Sequence, residues 1–160
     1  MAMTDADRLF FAGGAHARAA HAVLAAAQAN IHMAVPFYLL VGFSLETVLK
    51  AAFVHLGGDM KVAKHDIVHD LPKALAFAKD RGFQPENDQL EWLTNTMADV
   101  HRNHSFRYLT GDGDLIVANE AHGLRILDDL VAQVGQLLYP QHKRPHWMEL
   151  LAKFEAGRAE

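Results

Sequence analysis

The densest run of side chains able to do chemistry is His101-Arg102-Asn103-His104-Ser105-Phe106-Arg107-Tyr108, which sets two arginines, two histidines, an amide and two aromatic rings within eight residues. Guanidinium groups offer rigid donor forks suited to phosphate or carboxylate, and imidazoles exchange protons near neutral pH. The same cations would also serve a helix C-terminus and surface ion pairs, a reading that covers Arg102 alone better than Arg107 with Phe106 and Tyr108 on either side of it. A second cluster lies upstream, where His69-Asp70 follows Lys61, Lys64 and His65 at the expected start of a helix. Helix N-termini favour anions, yet Asp70 equally suits the N-cap. Both assignments hold together if His69 faces a ligand.

Glu46 and Lys50 form the third candidate, and their setting makes them unusual. They lie in PFYLLVGFSLETVLKAAFVHL, Pro36 to Leu56, the most apolar part of the chain. At 100° per residue Phe37, Val41, Ser44, Leu45, Val48 and Ala52 share one stripe, while Leu39, Phe43 and Phe53 lie opposite, near Glu46 and Lys50. A helix apolar on nearly every side is a buried helix. Pro36 suits its first turn and Gly57-Gly58 its stop. Spaced four apart in the favourable order, Glu46 and Lys50 can pair within the helix. A buried carboxylate needs further cationic or hydrogen-bonding partners. Arg107 and His69 are the candidates, which would bring three separate segments to one polar pocket.

The remaining elements follow from punctuation and periodicity. Thr4-Asp5-Ala6-Asp7 reads as a capping signal for a helix to about Asn30, weakened at Gly13-Gly14 and restored by the alanine-rich run after it. GGDMKVAKHDIVHD reads as a polar connection longer than most helix–helix links. A third helix is expected from about Asp70 to Lys79 or Arg81, with Leu71, Leu75 and Ala78 inward. A fourth starts near Glu86 to Asp88 and places Leu90, Leu93, Met97 and Val100 on one face before His101. A fifth, from about Asn119 to Leu138, buries Leu124, Leu127, Val131, Val134 and Leu138. Pro145 opens a short terminal helix carrying Trp147, Leu150, Leu151 and Phe154. The expected architecture is all-α, an up-and-down helical bundle of about five long helices plus a short C-terminal helix, in one domain over residues 1–160.

Composition narrows the chemistry. The absence of cysteine excludes disulfides, thiolate metal ligands and cysteine nucleophiles. The formal charge of −4 argues against a general nucleic-acid binder, although local clusters can still hold phosphate. Protonating all eleven histidines would take that charge from −4 to +7, so surface charge depends on pH. The N-terminus lacks the basic region of an export signal, and the apolar stretch Met33 to Leu45 is read as too short for a membrane span, which makes a soluble, cytoplasmic protein the expectation.

FSLETVLKA, KHDIVHDL and HRNHSFRY, in that order along an all-helical chain, resemble the HEPN superfamily, helical bundles of prokaryotic toxin–antitoxin and defence systems. The resemblance spans roughly Phe10 to Leu138. Active members carry an Arg, a following polar residue such as Asn, and a His after a gap of four to six, and they cut RNA at a dimer interface. Arg102-Asn103 matches the first half. Arg107 occupies the shortest-gap histidine position, and no His lies at the longer gaps. Guanidinium stays protonated and makes a poor general base. His104 or His101 would have to substitute if the chain were an active ribonuclease. The resemblance implies a noncatalytic, homodimeric domain that binds nucleotide or RNA phosphate through Arg102, Arg107, Lys50 and His69, with Asn103, Tyr108 and Glu46 shaping the pocket. It also implies a cognate regulatory protein as partner. No cofactor and no membrane partner is expected.

Two rival classes stand beside this reading. His65 and His69 are four apart and His101 and His104 three apart, spacings that can place metal ligands on one helix face. Pro72 disfavours continuous helix through Leu71, and no Glu-x-x-His or His-Glu-x-x-His motif is present. A bundle that only docks a partner protein would need no site at all, and its polar groups would be scattered.

Overall fold

The computed structural model describes residues 2–27, 34–102 and 119–142. Five longer helices, α1 (Asp5–Ala27), α2 (Ala34–His55), α4 (Leu71–Asp80), α5 (Leu90–Arg102) and α6 (Glu120–Leu138), form an all-α bundle, with a single short turn, α3 (Met60–Val62), between α2 and α4. No strand occurs among the described residues. The terminal helix expected from Pro145 lies outside them.

Local chemistry accounts for where each helix begins and stops. At the start of α1 the Thr4 N–H donates to Asp7 Oδ2 at 2.7 Å while the Asp7 N–H donates to Thr4 Oγ1 at 3.1 Å, a reciprocal capping box. Helix α4 is capped by Asp70, whose Oδ1 accepts from the Lys73 N–H at 3.0 Å, and Pro72 occupies its first turn. It closes where Gly82 adopts φ +100° and the Phe83 N–H reaches back to the Ala78 carbonyl at 3.0 Å, a Schellman stop. Asn119 caps α6 by accepting from the His122 N–H at 3.1 Å. Helix α5 starts at Leu90, later than the Glu86 to Asp88 expected from sequence. Those residues bind α6 instead: the Glu86 N–H donates to Gln133 and Asn87 Nδ2 to Asp129, at 3.1 and 2.8 Å.

Helix α2 is the axis of the bundle. It packs along α1 and against α4 and α6, and it buries thirteen of its 22 residues, Glu46 and Lys50 among them. A Cβ at Gly13 would lie 2.4 Å from Val48 Cγ2, so the glycine that weakens α1 in isolation is what lets α1 approach α2. Ser44 Oγ donates to the Gly13 carbonyl at 2.7 Å in the same contact. Length and apolarity alone would allow α2 to cross a membrane, with an 18-residue window of mean hydropathy 1.6, which corrects the expectation that this stretch is too short. Packing separates the cases, because 72% of that window is buried inside the fold, as in the core helix of a soluble bundle.

The connection between α2 and α4 is more ordered than a polar link. Asp59 accepts from the Lys61 N–H at 2.7 Å to start α3, which widens into a π-helical turn over Ala63–Ile67. Ala63 and Ile67 are buried while Lys64, His65 and Asp66 face outward. Single π turns inside helical segments recur at functional sites. Val68 then adopts φ 50° and ψ −115°, and the Asp70 N–H donates to the Ile67 carbonyl at 3.0 Å. These values describe a type II′ turn whose first central position, normally glycine, holds a β-branched residue. Such a conformation costs on the order of 1–3 kcal/mol and persists only where its surroundings enforce it.

Candidate functional site: a buried glutamate shared by two histidines and a lysine

What the strained turn faces is Glu46. This carboxylate is 6% exposed and accepts three side-chain hydrogen bonds. Lys50 Nζ donates to Oε1 at 2.7 Å, one helical turn along α2. His69 Nδ1 and His101 Nε2 both reach Oε2, at 2.9 and 2.7 Å. A carboxylate oxygen only accepts when ionised, so this arrangement sets the proton of His69 on Nδ1 and that of His101 on Nε2. Lys50 Nζ also donates to the Val68 carbonyl. Val68 and His69, which join the π turn to the Asp70 cap, thus both bear on one buried ion pair.

Each contributor is placed by its own segment. His101 sits in the last turn of α5 and is 4% exposed. Its ring lies directly on the α2 backbone, since a Cβ at Gly42 would come within 2.4 Å of His101 Nδ1. Phe43 holds the ring edge-on at a centroid distance of 5.5 Å, and the His69 ring crosses it at 5.9 Å. His69, with 35% of its side chain exposed, is the member of the cluster nearest solvent. Beside it Arg102 Nη2 donates to Asp70 Oδ2 at 2.8 Å, so the capping carboxylate of α4 is tied to the end of α5.

The electrostatics follow from this geometry. Burial alone would raise the Glu46 pKa, but hydrogen bonds from His101, Lys50 and His69, together with the Lys50 charge, pull it down to about 2. The carboxylate stays ionised throughout the physiological range. On the α1 side, burial pushes the His16 imidazole below its ordinary value, opposed by the Glu46 charge. His16 packs on Phe43 at 5.6 Å, and its Nδ1 is buried without a hydrogen-bond partner among the described residues.

Among the residues singled out from sequence, Glu46, Lys50, His69 and His101 form one cluster and Arg102 stands at its edge. Asn103, His104, Arg107 and Tyr108 lie outside the described residues. His65, the proposed metal partner of His69, is exposed on the π turn and contributes nothing to the cluster found. His101 enters as a direct partner of Glu46, a contact the sequence reading did not assign. Gly42 and Val68 were not singled out at all. Gly42 precedes Glu46 by one turn and was readable only as a small residue in an apolar helix, and nothing in the type of Val68 announces its conformation.

Chemically the cluster can do two things. It can present an imidazole oriented by a buried carboxylate, the arrangement that fixes a tautomer and stabilises an imidazolium. It also offers one ligand atom each from Glu46, His69 and His101, all within 4.8 Å of one another. Comparison of the chain with protein-family models, curated proteins and solved structures gives no match.

Proposed function

We propose that this chain is a HEPN-like domain that binds a nucleotide or RNA phosphate beside His69 and Arg102, without nuclease turnover. The observation that carries the reading is the carboxylate-anchored imidazole of His69, partly exposed next to an arginine and backed by buried polar groups from two other helices. Stored strain at Val68 and the π turn before it fit a preorganised ligand site better than a filler contact. His101 is too deeply buried to meet a phosphodiester directly, Arg107 stands at the shortest-gap histidine position of the motif, and His104 beside it does not restore the histidine spacing. Cytoplasmic location, a homodimer, a cognate regulatory protein and a place in a toxin–antitoxin or defence system belong to the same proposal. Thermal melting in the presence of AMP and of an unphosphorylated oligouridylate tests it. A rise in melting temperature that is lost in Arg102→Ala supports the reading. No rise with either ligand rejects it.

A second reading has its own observation. Glu46 Oε2, His69 Nδ1 and His101 Nε2 form a potential His2Glu set for a divalent transition metal. At 2.7 and 2.9 Å their present separations are those of hydrogen bonds, whereas ligands about 2.1 Å from a tetrahedral ion stand roughly 3.4 Å apart. Lys50 already neutralises the same carboxylate, which weighs against a second cation. Stoichiometric metal in the purified protein would favour this reading over the first.

A further inference from the structure

Among the described residues Trp92 is the largest apolar side chain left open to solvent, 45% exposed in the first turn of α5. It is not a displaced core residue, because Leu90, Leu93 and Met97 already fill the inward stripe of that helix. His122, in the first turn of α6, covers part of the indole, with ring centroids 5.5 Å apart at 45°. The Arg125 guanidinium engages this imidazole, its Nη2 3.2 Å from His122 Nδ1. Beside the indole a cleft of about 530 Å³ opens between residues 86–89 and Asp129 and Ala132 of α6. Gln89 and Asp88 precede Trp92 by three and four residues. His122 and Asp129, seven apart on α6, lie within about 20° of one another around its axis and about 10 Å along it. The exposed ring and the cleft therefore share one side of the α5–α6 seam.

Charge decides what this face can take. Asp88 and Asp129 are both exposed on the cleft, and neither forms an ion pair among the described residues. Asp129 Oδ2 accepts from the Asn87 amide at 2.8 Å, a neutral donor that leaves its charge uncancelled. Asp99 adds a further exposed carboxylate on the outer side of α5, while Glu91 is paired with Lys79 at 3.3 Å. A phosphate polymer would meet repulsion here, and a second copy of the same face would set like charges opposite one another. A cation gains twice, from the carboxylates and from the indole, the aromatic ring that binds cations best. We propose that this face docks a basic segment of a partner protein, with one arginine or lysine over Trp92 and another against Asp88 and Asp129. The separation of about 10 Å matches two helical turns, or three residues of extended chain. The surface is separate from the site at His69 and Arg102 and does not depend on phosphate binding there.

Trp147→Phe leaves Trp92 as the single indole, so tryptophan emission then reports on this face alone. Titrating that 160-residue variant with a tetra-arginine peptide should give a saturable change in emission, absent with tetraglutamate and weakening as salt rises. Asp88→Asn, and Asp129→Asn, which keeps an oxygen for the Asn87 amide, should each lower the affinity at least about threefold. Asp66→Asn, the same loss of charge on the π turn, should change it by less than about twofold. Anisotropy of the labelled peptide extends the series to Trp92→Ala, expected to bind at least about tenfold more weakly. No saturable change, or equal losses in Asp66→Asn and Asp129→Asn, would reduce the attraction to the net charge of the chain and overturn the proposal. Saturation of the Trp92 signal by oligouridylate in place of the peptide would overturn it in favour of nucleic acid. A dimer that Trp92→Ala dissociates would overturn it in favour of a second copy.

Discussion

Gly42 of α2 and His101 of α5 occupy one volume: the space a Cβ would need at residue 42 is filled by the imidazole, 2.4 Å from its Nδ1. This contact seats the ring so that its other nitrogen meets Glu46 one turn further along. Gly42→Ala is therefore expected to destabilise the protein by about 1–3 kcal/mol, despite the better helix propensity of alanine. Urea denaturation checks it, and a midpoint at or above that of the wild type would show that the ring does not rest on the helix backbone.

Glu46 and Lys50 are buried together, and removing one strands the other. Glu46→Leu and Lys50→Met should each cost on the order of 3–5 kcal/mol. The double substitution should cost at least about 1 kcal/mol less than their sum, because neither charge is left uncompensated. Additive losses in a double-mutant cycle would mean that the pair is solvated rather than enclosed.

The depressed pKa of Glu46 fixes a pH dependence with a definite sign. The folded value, about 2, is below the ordinary 4.5, so the folded state favours the ionised form. The resulting stabilisation is complete above about pH 4.5 and is lost as pH falls toward 2; a displacement of that size corresponds to roughly 3 kcal/mol. Below about pH 4.5 the stability gap between wild type and Glu46→Gln should close. A gap that is constant down to pH 3 would contradict an ionised, buried Glu46.

Val68 is 44% exposed and holds a glycine-like conformation. Val68→Gly should relieve that strain at little loss of packing, and after the unfolded-state entropy of glycine a net gain of about 1 kcal/mol is expected. Thermal melting decides it. A loss of stability would place the origin of the turn in the valine side chain and remove it from the list of enforced conformations.

Much of this fold was legible in the sequence because the signals were local. The Thr4 and Asp7 capping box, the Asp70 cap with Pro72 behind it, and the glycine stop at Gly82 all act within a turn of where they stand. Glu46 was legible by conflict, a charge where the surrounding residues demand burial. Its partners were only half legible, since nothing local links position 46 to position 101 across 55 residues. The π turn and Val68 escaped because their conformations are imposed by tertiary contacts, the Lys50 to Val68 carbonyl bond among them. The start of α5 was misplaced for a similar reason, with the polar groups of Glu86 and Asn87 spent on α6 rather than on helix.

The most direct measurement is fluorescence anisotropy of a labelled, unphosphorylated oligouridylate titrated with wild type, His69→Ala, Arg102→Ala and, as a control at an exposed position of α6 that bonds to His122 rather than to the cluster, Arg125→Ala. Saturable binding by the wild type, weakened at least about tenfold by the first two substitutions and less than about twofold by the third, is the expected result. Four superimposable curves, or no binding by the wild type, would contradict a phosphate site at His69 and Arg102.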